Sequence, residues 1–178
     1  MTANSMELKA YKRGVSHESS AWYMNNLTTY LAEQQDTRGQ FGLMESILAP
    51  GNEPPPHIHA REDELYYIIE GEFDVYAGKD AFKVKQGECV FLPRLIPHAF
   101  KIRSPKLRLL LIITPGGLEA AFRGMASPAD KLDLPSGMPT YATANLEKTV
   151  QVLQEYGVRL LTTDEVTTQL PLYPKPLA

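Results

Sequence analysis

From Gln40 to Thr114 the chain consists of short alternating or wholly apolar runs, broken at regular intervals by Gly, Pro and charged pairs. That is the pattern of an antiparallel sandwich or barrel. Strands are predicted near Phe41 to Leu48, His57 to His59, Glu64 to Glu70, Glu72 to Ala77, Ala81 to Val84, Cys89 to Leu92, His98 to Lys101 and Leu107 to Ile113. Upstream, Trp22, Tyr23, Leu27 and Tyr30 fit either edge strands or an arm laid across a neighbour. Downstream, Pro115-Gly116-Gly117 punctuates the barrel, and Leu118, Ala121, Phe122 and Met125 recur as one helical stripe. A second helix is predicted with Asn145 as N-cap, Leu146, Val150 and Leu153 on one face, and Gly157 just past its end. Leu170 to Ala178, with three prolines, is expected to lie along the surface or stay mobile. The expected organisation is an all-β barrel core at 40–114, an N-terminal arm or edge strands at 1–39, and a helical extension at 115–178 packing on the barrel.

Composition narrows the function classes. A chain of 178 residues with 43% hydrophobic content buries one core rather than two. A net charge of −3 and the absence of any Lys/Arg-rich stretch leave nothing to pair with a phosphate backbone, which argues against nucleic acid. The longest aliphatic run, Leu109 to Ile113, is far shorter than a membrane span, and Met1 to Gly14 holds no apolar signal-peptide core. A soluble, unexported protein is expected. The only cysteine, Cys89, permits no intrachain disulfide, which suits the cytoplasm, and it is expected as a small buried core residue.

The chemistry concentrates in the histidines. Three of the four fall between positions 57 and 98, and two are separated by one residue. Residues i and i+2 of a strand share a face, so His57 and His59 project two imidazoles into one space. Glu64 follows the polar turn Ala60 to Asp63, and a returning strand is expected to bring its carboxylate beside them. His98 follows Pro93 to Pro97, where two prolines constrain the chain's approach. Imidazoles with a carboxylate suit one divalent transition metal (Fe, Mn, Ni, Co, Cu or Zn), whereas calcium wants mostly oxygens. A one-residue slip would put Glu62 or Asp63 in place of Glu64; both otherwise read as solvated turn residues. His17, in a polar stretch, reads as an ordinary solvated or hydrogen-bonded histidine.

These residues resemble the two signature motifs of the cupin superfamily: Gly51, five residues, His57, one, His59, four, Glu64, six, Gly71; then Gly87, five residues, Pro93, and His98 five further on. Leu95 stands where the family often has Gly, and Ile102 where it often has Asn. Thr37-Arg38-Gly39, Pro115-Gly116-Gly117-Leu118-Glu119 and Tyr156-Gly157-Val158 are similar to single-domain quercetin-dioxygenase-like cupins. The resemblance implies a jelly-roll barrel with the metal near its centre, usually dimeric, in a superfamily that includes dioxygenases, isomerases, decarboxylases and plain binders.

The leading expectation is therefore a metal-dependent dioxygenase of a small enol, phenol or flavonol-like compound, with Glu64 as ligand and proton acceptor. Strand parity offers Tyr66, Ile68, Phe73, Val75, Phe100, Leu109 and Leu111 as pocket walls. The rival, a metal-assisted isomerase or decarboxylase of a sugar or keto acid, needs two or more of Arg61, Lys83, Arg94 and Lys101 in the pocket. A non-catalytic ligand-binding module is the third reading, and the chain shows no DNA-binding or signalling attachment to go with it. The N- and C-terminal segments supply material to cover edge strands, so a homodimer is expected.

Overall fold

The computed structural model describes the backbone of residues 7–136 and 143–174, and the side chains of 7–136 and 147–174. The order is β1 (Ser20–Tyr23), β2 (Asn26–Ala32), α1 (Gln34–Thr37), β3 (Gly42–Leu48), β4 (His57–His59), β5 (Asp63–Glu70), β6 (Glu72–Ala77), β7 (Asp80–Lys85), β8 (Cys89–Leu92), β9 (His98–Ile102), β10 (Leu107–Thr114), α2 (Leu118–Met125), β11 (Ser127–Pro128), α3 (Thr143–Glu155), β12 (Val158–Leu160) and α4 (Thr163–Gln169). The strands form two antiparallel sheets, one ordered β11-β1-β2-β3-β10-β5-β8 and the other β12-β4-β9-β6-β7. This is the antiparallel all-β sandwich that the sequence pattern predicts, in the jelly-roll form that the resemblance implies.

The period-2 alternation sets the inward face. Along β10, Leu107, Leu109, Leu111 and Ile113 are buried, while Arg108 turns outward to pair with Glu45 on β3 at 2.7 Å. Along β3, Gly42, Met44, Ser46 and Leu48 face in. Between the sheets, the rings of Tyr66, Phe73 and Phe100 meet edge to face at 5.4 to 6.2 Å, and each contributes on the order of 2 kcal/mol by leaving water.

Several expectations change. The N-terminal segment forms edge strands, with β1 on β2 and β2 on β3 of the same chain. Cys89 is exposed, because Val90 and Leu92 take the inward positions of β8 and leave Cys89 and Phe91 outside. Helix α3 begins at Thr143, two residues ahead of Asn145, so Asn145 is not its N-cap; the side chain of Leu146 lies outside the described residues. Gly157 does follow the helix in the left-handed conformation (φ 88°), and its N–H bonds Gln154 O at 2.9 Å. The C-terminal segment is anchored as far as described: Leu170 is buried and the Tyr173 ring packs edge-on against Tyr76 at 5.3 Å. Residues 1–6 and 175–178 lie outside the described residues. No helix among the described residues is long and apolar enough to cross a membrane.

The turn before β9 carries Leu95 at φ 66°, the left-handed region that the usual Gly would occupy without strain. It is held there because the Leu95 N–H donates to His59 O at 2.8 Å, while Arg94 bonds the Asp63 carboxylate at 2.7 and 3.0 Å. The side chain is 62% exposed and so gains little from packing. Leu95→Gly is therefore expected to raise stability by about 0.5 kcal/mol, relief of roughly 1–2 kcal/mol of strain less the chain entropy of Gly. Urea unfolding measures this, and a loss of stability would contradict it.

Candidate metal centre

Strand β4 is three residues long with both histidines turned inward and Ile58 between them. Its neighbour β9 places His98 directly opposite His57. Three imidazoles thus come from one sheet, their ring centroids 4.4 to 5.4 Å apart. Glu64 arrives differently from the expectation of a hairpin return. It sits on β5 in the opposing sheet, between Ile113 and Leu92, and reaches across the barrel. The ligand atoms offered by His57, His59, Glu64 and His98 all lie within 4.8 Å of one another, and all four residues are buried.

Each ring is oriented from behind through its Nδ1, by an oxygen acceptor: Pro55 O for His57 at 2.8 Å, Glu62 Oε2 for His59 at 3.4 Å, and Ile96 O for His98 at 3.2 Å. An Nδ1–H donated outward leaves Nε2 as the lone-pair nitrogen, which is how ligand histidines are ordinarily held. Among the described residues, four buried side-chain N or O atoms lack a hydrogen-bond partner, and two of them are His59 Nε2 and His98 Nε2. His98 Nε2 lies 3.2 Å from Glu64 Oε2 and His59 Nε2 3.8 Å from Glu64 Oε1, contacts of charge without hydrogen-bond geometry. Metal–nitrogen bonds of about 2.0–2.1 Å put opposite ligands a little over 4 Å apart, so the cluster fits one ion.

The electrostatics agree with this. Burial, reinforced by the neighbouring imidazoles of His98 and His59, pushes His57 down to about 3, so it is neutral and able to coordinate. Burial would raise Glu64, but the imidazoles of His59 and His98 outweigh it and hold the carboxyl well below its usual range. His59 is raised, because Glu64 and Glu62 overcome the effect of burial. Tyr66, raised far above 10 by burial and by Glu64, stays a phenol and donates to Glu64 Oε2 at 3.0 Å.

A cavity of about 110 Å³ opens on the centre, with His57, His59 and Glu64 on its surface. Tyr66, Phe100, Leu109 and Leu111 line it as parity predicts. Ile68, Phe73 and Val75 do not: each is 0% exposed and packs deeper in the core, on the correct face but at the wrong height along the barrel. Glu62, read as a solvated turn residue, is buried behind His59, while Asp63 holds Arg94. His17 bonds Ala129 O at 3.0 Å, away from the cluster. Part of the wall was not predicted at all. Strand β12 pairs with β4, matching Val158 to His59 and Leu160 to His57, so Val158, Leu160 and Leu153 of α3 close one side. Met44, Ser46 and Thr28 line the opposite sheet.

Residues 44–114 match the family described as a cupin domain. The chain is similar to quercetin 2,3-dioxygenase of Bacillus subtilis (strain 168), 24% identical over 104 residues, or 58% of this chain and 31% of that one. It is similar also to quercetin 2,3-dioxygenase of Aspergillus japonicus, 27% identical over 113 residues, or 58% and 32%. The chain thus spans about a third of the length of these two relatives. Among solved structures, a variant of Streptomyces PAC13 with uridine superposes with a TM-score of 0.50 at 14% identity, covering 62% of this chain and 88% of that one.

Proposed function

We propose that this chain, whose residues 44–114 match a cupin domain and whose buried cluster meets a largely apolar cavity, is a metal-dependent dioxygenase of a small neutral enol or phenol. The observation that carries the reading is the chemistry of the walls. No Lys or Arg is among the described residues lining the cavity. Arg94 is engaged by Asp63, and Lys101 lies over the Tyr173 ring, 5.6 Å from its centroid. A sugar or keto acid would meet no side-chain cation there beyond the ion itself, so the isomerase and decarboxylase readings lack the convergent Lys or Arg groups they require.

His57, His59, Glu64 and His98 would hold the ion, which in such a site lowers the pKa of a bound hydroxyl. Glu64 would accept the proton of that hydroxyl, with Tyr66 holding its Oε2 from the other side. The apolar side chains exclude water, which strengthens these interactions and protects an electron-rich carbon from reprotonation. The cavity of about 110 Å³ is open at its mouth, so a substrate held at the cluster can extend past the enclosed part.

The test is oxygen consumption by protein loaded in turn with Fe, Mn, Ni, Co and Cu, across single-ring phenols, 1,3-diketones and flavonols. Uptake with at least one metal and at least one of these compound classes is expected. Silence with all five metals would overturn the proposal.

A further inference from the structure

The outward faces of the two sheets differ in kind. On the five-stranded sheet, Asp74 of β6 lies opposite Lys83 of β7 on one side and Lys101 of β9 on the other, and Glu72 lies opposite Lys85. That is the charged exterior expected of an antiparallel sheet with one face in water. The seven-stranded sheet is different over β3, β10, β5 and β8. Register sets Leu43, Ile112, Leu65 and Phe91 side by side across these four strands, and Leu110, Tyr67 and Cys89 in the next row. All seven alternate with buried residues and so point away from the core. Tyr67 is 43% exposed and Phe91 57%.

Charge within this field is neutralised internally. Glu45, beside Leu110 in the second row, holds Arg108 at 2.7 Å, and Asp63, at the start of β5, holds Arg94 at 2.7 Å. An identical copy therefore meets no net charge to repel it. Four strands at about 4.8 Å and five residues at about 3.4 Å give a footprint of roughly 300 Å² in projection, and side-chain relief adds to it. That matches the largest apolar patches that monomers expose, and it suffices as the apolar core of a standard interface of about 800 Å² per partner. On the β2 side the surface continues into residues 7–15, exposed throughout and moored by Tyr11 Oη, which donates to Leu31 O at 3.0 Å.

We propose that the outward face of β3, β10, β5 and β8 is the docking surface for a second copy of this chain, packed face to face about a two-fold axis. The contact is isologous, so Tyr67 and Phe91 of each protomer are buried against the same apolar rows of the other. The second copy covers a sheet face, and not the sheet edges from which pairing is expected on sequence alone.

Sedimentation velocity on the full-length chain at about 10 μM is expected to show a dimer, as an interface of standard size gives. Tyr67→Glu combined with Phe91→Glu brings like charges together at the contact and should weaken association roughly a hundredfold or more, leaving monomer at the same concentration. Both side chains are exposed, so the circular dichroism of this double variant should match that of the parent. Lys83→Glu, on the charged face of the other sheet, should leave the dimer intact. Cys89 reports on the face without any substitution in it. Its alkylation by iodoacetamide should slow roughly tenfold as the parent protein is concentrated from monomer to dimer, and this readout decides if the double variant misfolds. A parent chain still monomeric at about 100 μM would sink the proposal. So would a dimer that survives the double substitution, that Lys83→Glu dissociates, or that leaves the alkylation of Cys89 unchanged, because such a dimer forms through another surface.

Discussion

Glu64→Ala and His57→Ala should each lose the metal, yet they should destabilise the metal-free fold to different extents. Either change removes a donor from a four-residue set, and affinity is expected to fall more than a hundredfold, since even losing an outer partner of a ligand typically costs ten- to a hundredfold. Glu62→Gln, which weakens only the acceptor behind His59 Nδ1, sits in that smaller range. Without metal, however, Glu64 is the anion that the buried imidazoles face, and its removal leaves His59 with Glu62 alone. Breaking a buried charge pair by deleting one partner costs about 3–5 kcal/mol. His57 is neutral, held at about 3 by burial and by its two imidazole neighbours, so its removal leaves no unpaired charge and mainly a cavity, about 1–2 kcal/mol. Elemental analysis gives the metal content, and urea unfolding of the metal-free proteins gives the order of stabilities. Full metal retention in either variant would exclude that residue as a ligand, and equal destabilisation would contradict the charge argument.

The ligand set was legible because its members are chemically distinctive and their spacing follows strand geometry: His57 and His59 share a face by period, and the prolines at 93 and 97 announce the approach to His98. Sequence cannot show which sheet a strand joins. Glu64 was therefore expected in a hairpin with β4, whereas β5 lies in the opposing sheet and the carboxylate crosses the barrel. The same limit explains Ile68, Phe73 and Val75. Parity says that a side chain points inward, but the height of the cavity depends on register between strands distant in sequence. Glu62 was misread because an acid in a polar turn ordinarily faces water; the available signal was that a ligand imidazole needs an acceptor behind it and that Glu62 lies three residues from His59. Ser46 also had a readable signal, since it is in phase with Met44 and Leu48 and so had to face the interior. Strand β12 had none: three residues are too few to show a period, and its place is set by pairing with β4.

Glu119→Ala should destabilise the fold by about 4 kcal/mol while leaving metal affinity unchanged. The carboxylate is 0% exposed and accepts two backbone N–H bonds, from Gln34 at 2.6 Å to Oε1 and from Gly117 at 2.7 Å to Oε2. One donor belongs to the first turn of α1 and the other to the residue that opens α2, so a single side chain ties the two connections that flank β3 and β10. Truncation unpairs two part-buried donors and empties the space of a fully buried side chain, together about 4 kcal/mol. Glu119→Gln keeps one acceptor and turns an amide N–H toward the other donor, so it should cost about half as much. Next to this carboxylate sits Gly42, where an added Cβ would fall 2.5 Å from Glu119 Oε2. With the carboxylate pinned from two sides it cannot step aside, and Gly42→Ala should cost about 1–3 kcal/mol by overpacking. The decisive measurement is the double-mutant cycle. In Glu119→Ala the space beside Gly42 is vacated, so adding Gly42→Ala should cost little more, and the pair should be less than additive by at least 1 kcal/mol in urea unfolding at constant m. Strict additivity would mean that Gly42 is required for some reason other than its contact with the carboxylate.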